Sequence, residues 1–122
     1  LEDDILLYDE LLRKKVFQLN EKPRFDFIFL GMGLDGHTAS IFPNSSAQRE
    51  NKKLVIKNKI RNNDIERLTM TYPVLLNADQ TIIIIKGLKK KRLLFDQQRV
   101  KNLPVDFILN NSKNIQILCS KE

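Results

Sequence analysis

Phe25-Asp26-Phe27-Ile28-Phe29-Leu30-Gly31-Met32-Gly33-Leu34-Asp35-Gly36-His37 is the stretch on which the reading of this chain turns. Its first half is apolar at nearly every position and is stopped by glycine. A short apolar run bounded by a turn signal fits a buried strand. Upstream, Ile5, Tyr8, Leu11, Leu12, Val16 and Phe17 recur at helical spacing, with Asp9, Glu10, Arg13 and Lys14 between them. That spacing predicts an amphipathic helix of about four turns. Residues 20–24, a polar link containing Pro23, join helix to strand.

Downstream, residues 38–42 are expected to open a short helix and residues 43–46 to form a turn. Residues 54–56 and 68–71 are candidate strands. Pro73 suits the first turn of a short helix running to Ala78. Residues 81–86 form the clearest further strand, broken by Gly87, and residues 88–95 read as helix. Leu103-Pro104 opens another connection, and residues 115–118 are the last strand. Strands alternating with helices predict an α/β fold: a Rossmann-like, doubly wound, mostly parallel sheet with helices on both faces. Ligands in such folds bind beyond the carboxyl ends of the strands. Residues 31–37 lie at such an end.

The chain has 122 residues, 42% hydrophobic and 30% charged, as expected for one globular domain. Its longest apolar run, Ile82-Ile83-Ile84-Ile85, is far short of the roughly 20 residues needed to span a bilayer. Leu1-Glu2-Asp3-Asp4 carries no signal-peptide pattern and no initiator Met, so the chain is expected to begin inside a longer protein. The single cysteine, Cys119, cannot form an internal disulfide and follows an apolar run. A buried or inert thiol in a reducing compartment, the cytoplasm, is expected. One Cys and one His make no zinc cluster, so no metal is expected.

The net charge is +6, much of it in two clusters, Lys52 to Arg61 and Lys89-Lys90-Lys91-Arg92. Aromatic residues do not interleave with these cations, and no groove-reading motif is present. Solvated surface charge and a small anionic substrate account for them; nucleic acid and membrane are not expected partners.

The loop carries the chemistry. Glycines directly after a strand permit positive φ and close approach of a ligand to the backbone. A dinucleotide reading of these glycines is poor, and no cofactor is expected. His37 is the sole histidine. An imidazole titrates near neutrality and can take a proton from water. Asp35, two residues earlier, is placed to orient it, although a turn aspartate bonding its own backbone is the alternative.

The whole stretch from Phe25 through His37-Thr38-Ala39-Ser40-Ile41-Phe42-Pro43 resembles the signature of 6-phosphogluconolactonases. Further segments follow in that family's order: Arg67-Leu68-Thr69-Met70-Thr71-Tyr72-Pro73, then Leu76-Asn77-Ala78, then Ile84-Ile85-Lys86-Gly87-Leu88-Lys89-Lys90, then Leu103-Pro104. Residues 1–122 correspond to the C-terminal part of a single domain of that kind. The family's first strand, its Ser-Gly-Gly-Ser-Thr-Pro phosphate loop and an Asp-Glu-Arg segment are not among them. Cys119-Ser120 also stands where the family usually has an aspartate after its last strand.

The resemblance implies hydrolysis of 6-phospho-D-glucono-1,5-lactone to 6-phosphogluconate, in the pentose phosphate pathway and without a cofactor. His37 matches the general base and Asp35 its orienter. Gly31, Gly33 and Gly36 would shape the loop and turn backbone N–H groups toward substrate oxygens. Arg67 and Lys90 match the phosphate-binding cations, with Lys89 and Lys91 as neighbours of similar kind. The parent protein is expected to be a monomer. This chain alone is expected to have little activity and a sheet edge open to self-association. One alternative is an amino-sugar phosphate isomerase/deaminase, whose loop usually has a glutamate where this chain has Phe42. Another is a non-catalytic sugar-phosphate-binding regulator.

Overall fold

The computed structural model describes residues 1–60 and 65–121, so Arg61, the end of the first basic cluster, lies outside the described residues. Helix α1 spans Glu2–Lys15, with Glu2, Asp3 and Asp4 in its first turn and Arg13, Lys14 and Lys15 in its last. That charge order complements the helix dipole. Its apolar stripe buries Leu12, which joins Leu54, Val55 and Val74 in a small core of its own.

The link after α1 is a hairpin, not an irregular segment. Strands β1 (Gln18–Leu19) and β2 (Lys22–Pro23) pair antiparallel around Asn20 and Glu21, both at positive φ (56° and 64°). Such two-residue turns match the twist of the strands they join. The Asn77 side-chain amide lies within 3.0–3.2 Å of the carbonyls of Leu19, Lys22 and Pro23, pinning the hairpin from across the chain.

Strand β3 is Phe27–Leu30. After the loop and a short 3₁₀ helix, Ser46–Arg49, strands β4 (Val55–Lys59) and β5 (Glu66–Met70) form an antiparallel pair separate from the main sheet. Helix α2 is short, Tyr72–Leu75, with Pro73 in its first turn as expected. Strand β6 (Gln80–Ile85), helix α3 (Leu88–Phe95), helix α4 (Pro104–Asn111) and strand β7 (Ile115–Cys119) complete the described chain. Helix α4 was not foreseen beyond the Leu-Pro connection: Pro104 starts it instead of closing a loop.

The main sheet has the order β3-β6-β7, all parallel, with Leu30 beside Ile83 and Ile83 beside Ile117. Both crossovers step in the same direction across the sheet. Right-handed crossovers of that kind lie on one face. Consistently, Tyr72 of α2 and Phe107 of α4 meet ring to ring at 4.4 Å. Beneath them Ile28, Leu30, Ile83 and Ile85 pack against Leu75, Val105 and Ile108. Each such buried side chain contributes about 1.5–3 kcal/mol.

The opposite face carries Phe27, Phe29, Ile84 and Leu118, all about half exposed or more. The continuous apolar runs of β3 and β6 therefore serve two faces, and among the described residues one of the two is covered. Two smaller expectations also differ. Residues 38–42 form no helix: Ile41 N–H donates to the Thr38 carbonyl at 3.0 Å in a tight turn with Ala39 at φ 50°. Cys119 is exposed, because it ends an edge strand at the sheet margin.

Adjacent isoleucines of β6 test this assignment of faces. Ile83 is fully buried and Ile84 is half exposed. In urea denaturation, Ile83→Ala is expected to lower stability by about 2–5 kcal/mol. Ile84→Ala should cost less than about 0.5 kcal/mol. Equal losses would show that both faces are packed.

Candidate active site

The loop after β3 is closed on itself by its own backbone. Gly33 N–H donates to the His37 carbonyl at 2.9 Å, and Gly36 N–H to the Gly33 carbonyl at 3.0 Å. The buried Thr38 hydroxyl donates to the Gly31 carbonyl at 2.8 Å, tying the loop's exit to its entry. The expectation that Gly33 and Gly36 turn their N–H groups toward substrate is therefore not met: both amides are engaged within the loop.

The glycines do other work. A Cβ on Gly33 would lie 2.2 Å from His37 Cε1 and 2.3 Å from its Nδ1, so the imidazole rests where any side chain would be. Gly36 holds φ at 83°, and a Cβ there would lie 2.6 Å from Leu103 Cδ1. Positive φ falls at Gly36, not at the two glycines nearest the strand. Gly31 has open space above its Cα.

Asp35 and His37 are brought together. Asp35 Oδ1 accepts the His37 backbone N–H at 3.0 Å and stands 2.5 Å from imidazole Nδ1. Asp35 is thus both a turn aspartate and an orienter. Partial burial raises its carboxyl, but the backbone and side-chain bonds from His37 outweigh that and hold it below the ordinary value of 3.8. A depressed acid of this kind stabilises the loop above its ordinary value and loses the effect as pH falls through its lower, folded value. In a neutral imidazole, a carboxylate against Nδ1 favours the Nδ1–H tautomer, which leaves Nε2 as the acceptor. Phe42 lies on the imidazole at 4.7 Å between ring centroids.

Gly31, Met32, Gly33, His37, Thr38 and Lys90 share the wall of a cavity of about 510 Å³. Lys90 reaches it from the first turn of α3, half-buried, while Lys89 beside it is exposed and outside the lining. Asp35 and Gly36 are not part of that wall. Arg67 does not line it. It lies exposed on β5, on the strand face that also carries Thr69. A separate cavity of about 440 Å³, between Arg49, Tyr72 and Phe107, contains none of the candidate catalytic or substrate-binding residues. Burial pushes the Tyr72 phenol up to about 12, so it is neutral at physiological pH.

Two supporting residues escaped the sequence reading. The Thr69 hydroxyl accepts Ser40 N–H at 3.1 Å, and the Asn58 amide donates to the Ser40 carbonyl at 2.8 Å. Both are buried on the β4–β5 pair, which thereby holds the segment after His37. A buried amide and hydroxyl on neighbouring strands are the signal, but their partner is distant in sequence.

The spacing Gly31-x-Gly33-x-x-Gly36 does equal that of the dinucleotide fingerprint. What separates the two is the element that follows. A pyrophosphate needs a helix N-terminus there, and here a tight turn follows His37. Among the described residues, no three His, Cys, Asp or Glu side chains group as a metal site. No helix of the described residues is long and apolar enough to cross a membrane.

Comparison with known proteins gives the family. A relative from Chlamydia pneumoniae, named 6-phosphogluconolactonase, is 37% identical over 87 residues, covering 71% of this chain and 32% of that protein. One of the same name from Helicobacter pylori is 38% identical over 88 residues, covering 69% of this chain and 39% of that protein. The solved 6-phosphogluconolactonase of Trypanosoma brucei superposes with TM-score 0.80 at 27% identity, over 99% of this chain and 51% of that one. A monomeric glucosamine-6-phosphate deaminase shares the fold, with TM-score 0.66 at 19% identity. The chain thus spans about a third of those curated relatives and about half of the solved one. Residues 1–117 match the family described as glucosamine-6-phosphate isomerases/6-phosphogluconolactonase, and the chain belongs to that family.

Proposed function

We propose that these residues are the C-terminal part of a single-domain 6-phosphogluconolactonase, with His37 as its general base. The observation that carries this reading is the Asp35–His37 contact at 2.5 Å, at the wall of a cavity that Lys90 also lines. An imidazole with Nδ1–H tied to a carboxylate presents Nε2 to a water molecule. That water attacks the lactone carbonyl while Nε2 takes its proton. The tetrahedral oxyanion then collapses, the ring C–O bond breaks, and the proton returns to the departing ring oxygen. Asp35 stabilises the imidazolium formed in between. Substrate phosphate is held by Lys90, with Arg67 contributing from β5, and the reaction needs no cofactor. The setting is the oxidative pentose phosphate pathway, in the cytoplasm.

Phe42 favours this reading over the deaminase. It packs on the imidazole at the position where the deaminase pattern has its glutamate, and a phenyl ring relays no proton. The regulator reading accounts for Asp35 as a turn residue but not for a carboxylate-bonded imidazole at the wall of a cavity that Lys90 also lines.

Three outcomes are expected in the full-length protein. His37→Ala should lower lactone hydrolysis by about 10²–10⁴; a rate within twofold of wild type, after subtracting spontaneous hydrolysis, would remove His37 from the mechanism. Lys90→Ala and Arg67→Ala should each weaken phosphorylated ligands by about 10- to 100-fold, the worth of a charge-assisted bond. Unphosphorylated gluconolactone should be little affected, and equal losses for both would point to a general defect. Gly33→Ala must displace the imidazole, and should lower kcat by about 10² while the fold survives by circular dichroism. An unchanged kcat would show that the ring position over Gly33 is not the working one.

A further inference from the structure

Helix α3 carries Lys90, and the loop after β3 carries His37. They leave the carboxyl ends of neighbouring parallel strands, β3 and β6. A second link, outside the sheet, runs through Arg99. Its Nε donates to the Leu93 carbonyl of α3 at 2.5 Å, and its Nη2 to Asp106 Oδ1 of α4 at 2.7 Å. Leu93 stands one turn beyond Lys90 on the same side of α3.

The other oxygen of that carboxylate continues the chain. Asp106 Oδ2 accepts Leu103 N–H at 3.0 Å, which fixes the turn into α4. Leu103 packs its side chain on Gly36, whose missing Cβ leaves the room for it. Val105 N–H donates to the Gly36 carbonyl at 3.0 Å. Gly36 is bonded to His37. The sequence of contacts is therefore Leu93, Arg99, Asp106, Leu103, Gly36, His37, with every link a hydrogen bond, a close packing contact or a peptide bond.

The Arg99 and Asp106 side chains are each 12% exposed. A buried ion pair gives little net stability compared with apolar side chains of the same size, because both charges lose their hydration. It does impose one geometry, since a guanidinium offers donors in fixed directions. We propose that Arg99 and Asp106 are positioning residues, a clamp that sets the helix bearing Lys90 and the loop bearing His37 at one fixed separation across the cavity. The clamp rests on the lactonase reading only for its kinetic consequence.

The test uses the full-length protein with Arg99→Met, Arg99→Lys and Asp106→Asn. Arg99→Met keeps bulk but removes both donors. Asp106→Asn keeps an acceptor for Leu103 while removing the charge that Arg99 meets. Hydrogen exchange is read at the Val105 amide and at the amides of β6 and β7. The His37 imidazole resonance is assigned by its loss in His37→Ala and then followed in the variants. Arg99→Met should speed exchange at Val105 at least tenfold, leave β6 and β7 unchanged, and shift the His37 resonance. With the phosphorylated lactone, kcat should fall about 10- to 100-fold, and Arg99→Lys should recover part of the loss. Unchanged Val105 exchange and an unmoved His37 resonance would overturn the clamp. So would equal acceleration at every amide, which marks a merely structural role. A wild-type protein with no lactonase activity would sink the reading of the site, while exchange and resonance would still decide the clamp.

Discussion

One side chain occupies the space of another in the loop after β3, and the site is built on that exchange. The His37 imidazole lies where residue 33 would carry its Cβ. Because Gly33 has none, its N–H can reach the His37 carbonyl and its Cα can support the ring from below. Asp35 sets its carboxylate against Nδ1 and the His37 backbone N–H. Phe42 covers the ring from another direction. An imidazole packed on glycine and phenyl, and bonded to a carboxylate, has few rotamers open to it. Catalytic groups need this kind of preorganisation, because freedom in the ground state must be removed before reaction.

The surroundings hold the loop in three directions. Thr38 anchors it to the end of β3. The β4–β5 pair grips Ser40 through Asn58 and Thr69. The turn into α4 seats Leu103 on Gly36. Thr38 itself lines the cavity; Asn58, Thr69 and Leu103 do not, yet each constrains a neighbour of a residue that does. The charges are also divided by task. Arg24 pairs with Asp79, Lys57 with Glu2, and Arg99 with Asp106. Among the described residues Lys90 is the cation that lines the cavity, and no ion pair or hydrogen bond among them engages its ammonium.

Much of this was legible in the sequence, for identifiable reasons. Phe27–Leu30 and the run Ile82-Ile83-Ile84-Ile85 are apolar and bounded by glycine, so their strands could be read directly. Asp35 and His37 sit two residues apart, so their contact is a local matter. What could not be read depended on tertiary partners. Residues 38–42 have no strong turn composition, and their bend is set by Thr38 reaching back to Gly31 and by Thr69 reaching across to Ser40. Helix α4 was missed because Leu103-Pro104 reads equally as a turn; the discriminating signal is Asp106, whose carboxylate caps the Leu103 amide. The hairpin at Asn20 and Glu21 depends on Asn77, far along the chain. Arg67 was placed from family order just before a strand; it falls inside β5 and outside the cavity lining, and sequence order encodes neither.

The parallel sheet also has a consequence in time. Helix α1 and the β4–β5 pair join residues close in sequence, so their formation requires little loop closure. Pairing of β3 with β6 joins Leu30 to Ile83, with the whole β4–β5 pair and α2 between them. Such long closures lose chain entropy before any contact compensates, and they slow folding. The Gly31–His37 loop hangs from β3, and its last anchor, Leu103, comes from still further along the chain. The packing of Leu103 on Gly36 therefore forms only once distant parts of the chain have met. The chemistry of the loop is local in sequence, but one of its anchors depends on the longest closures in the fold.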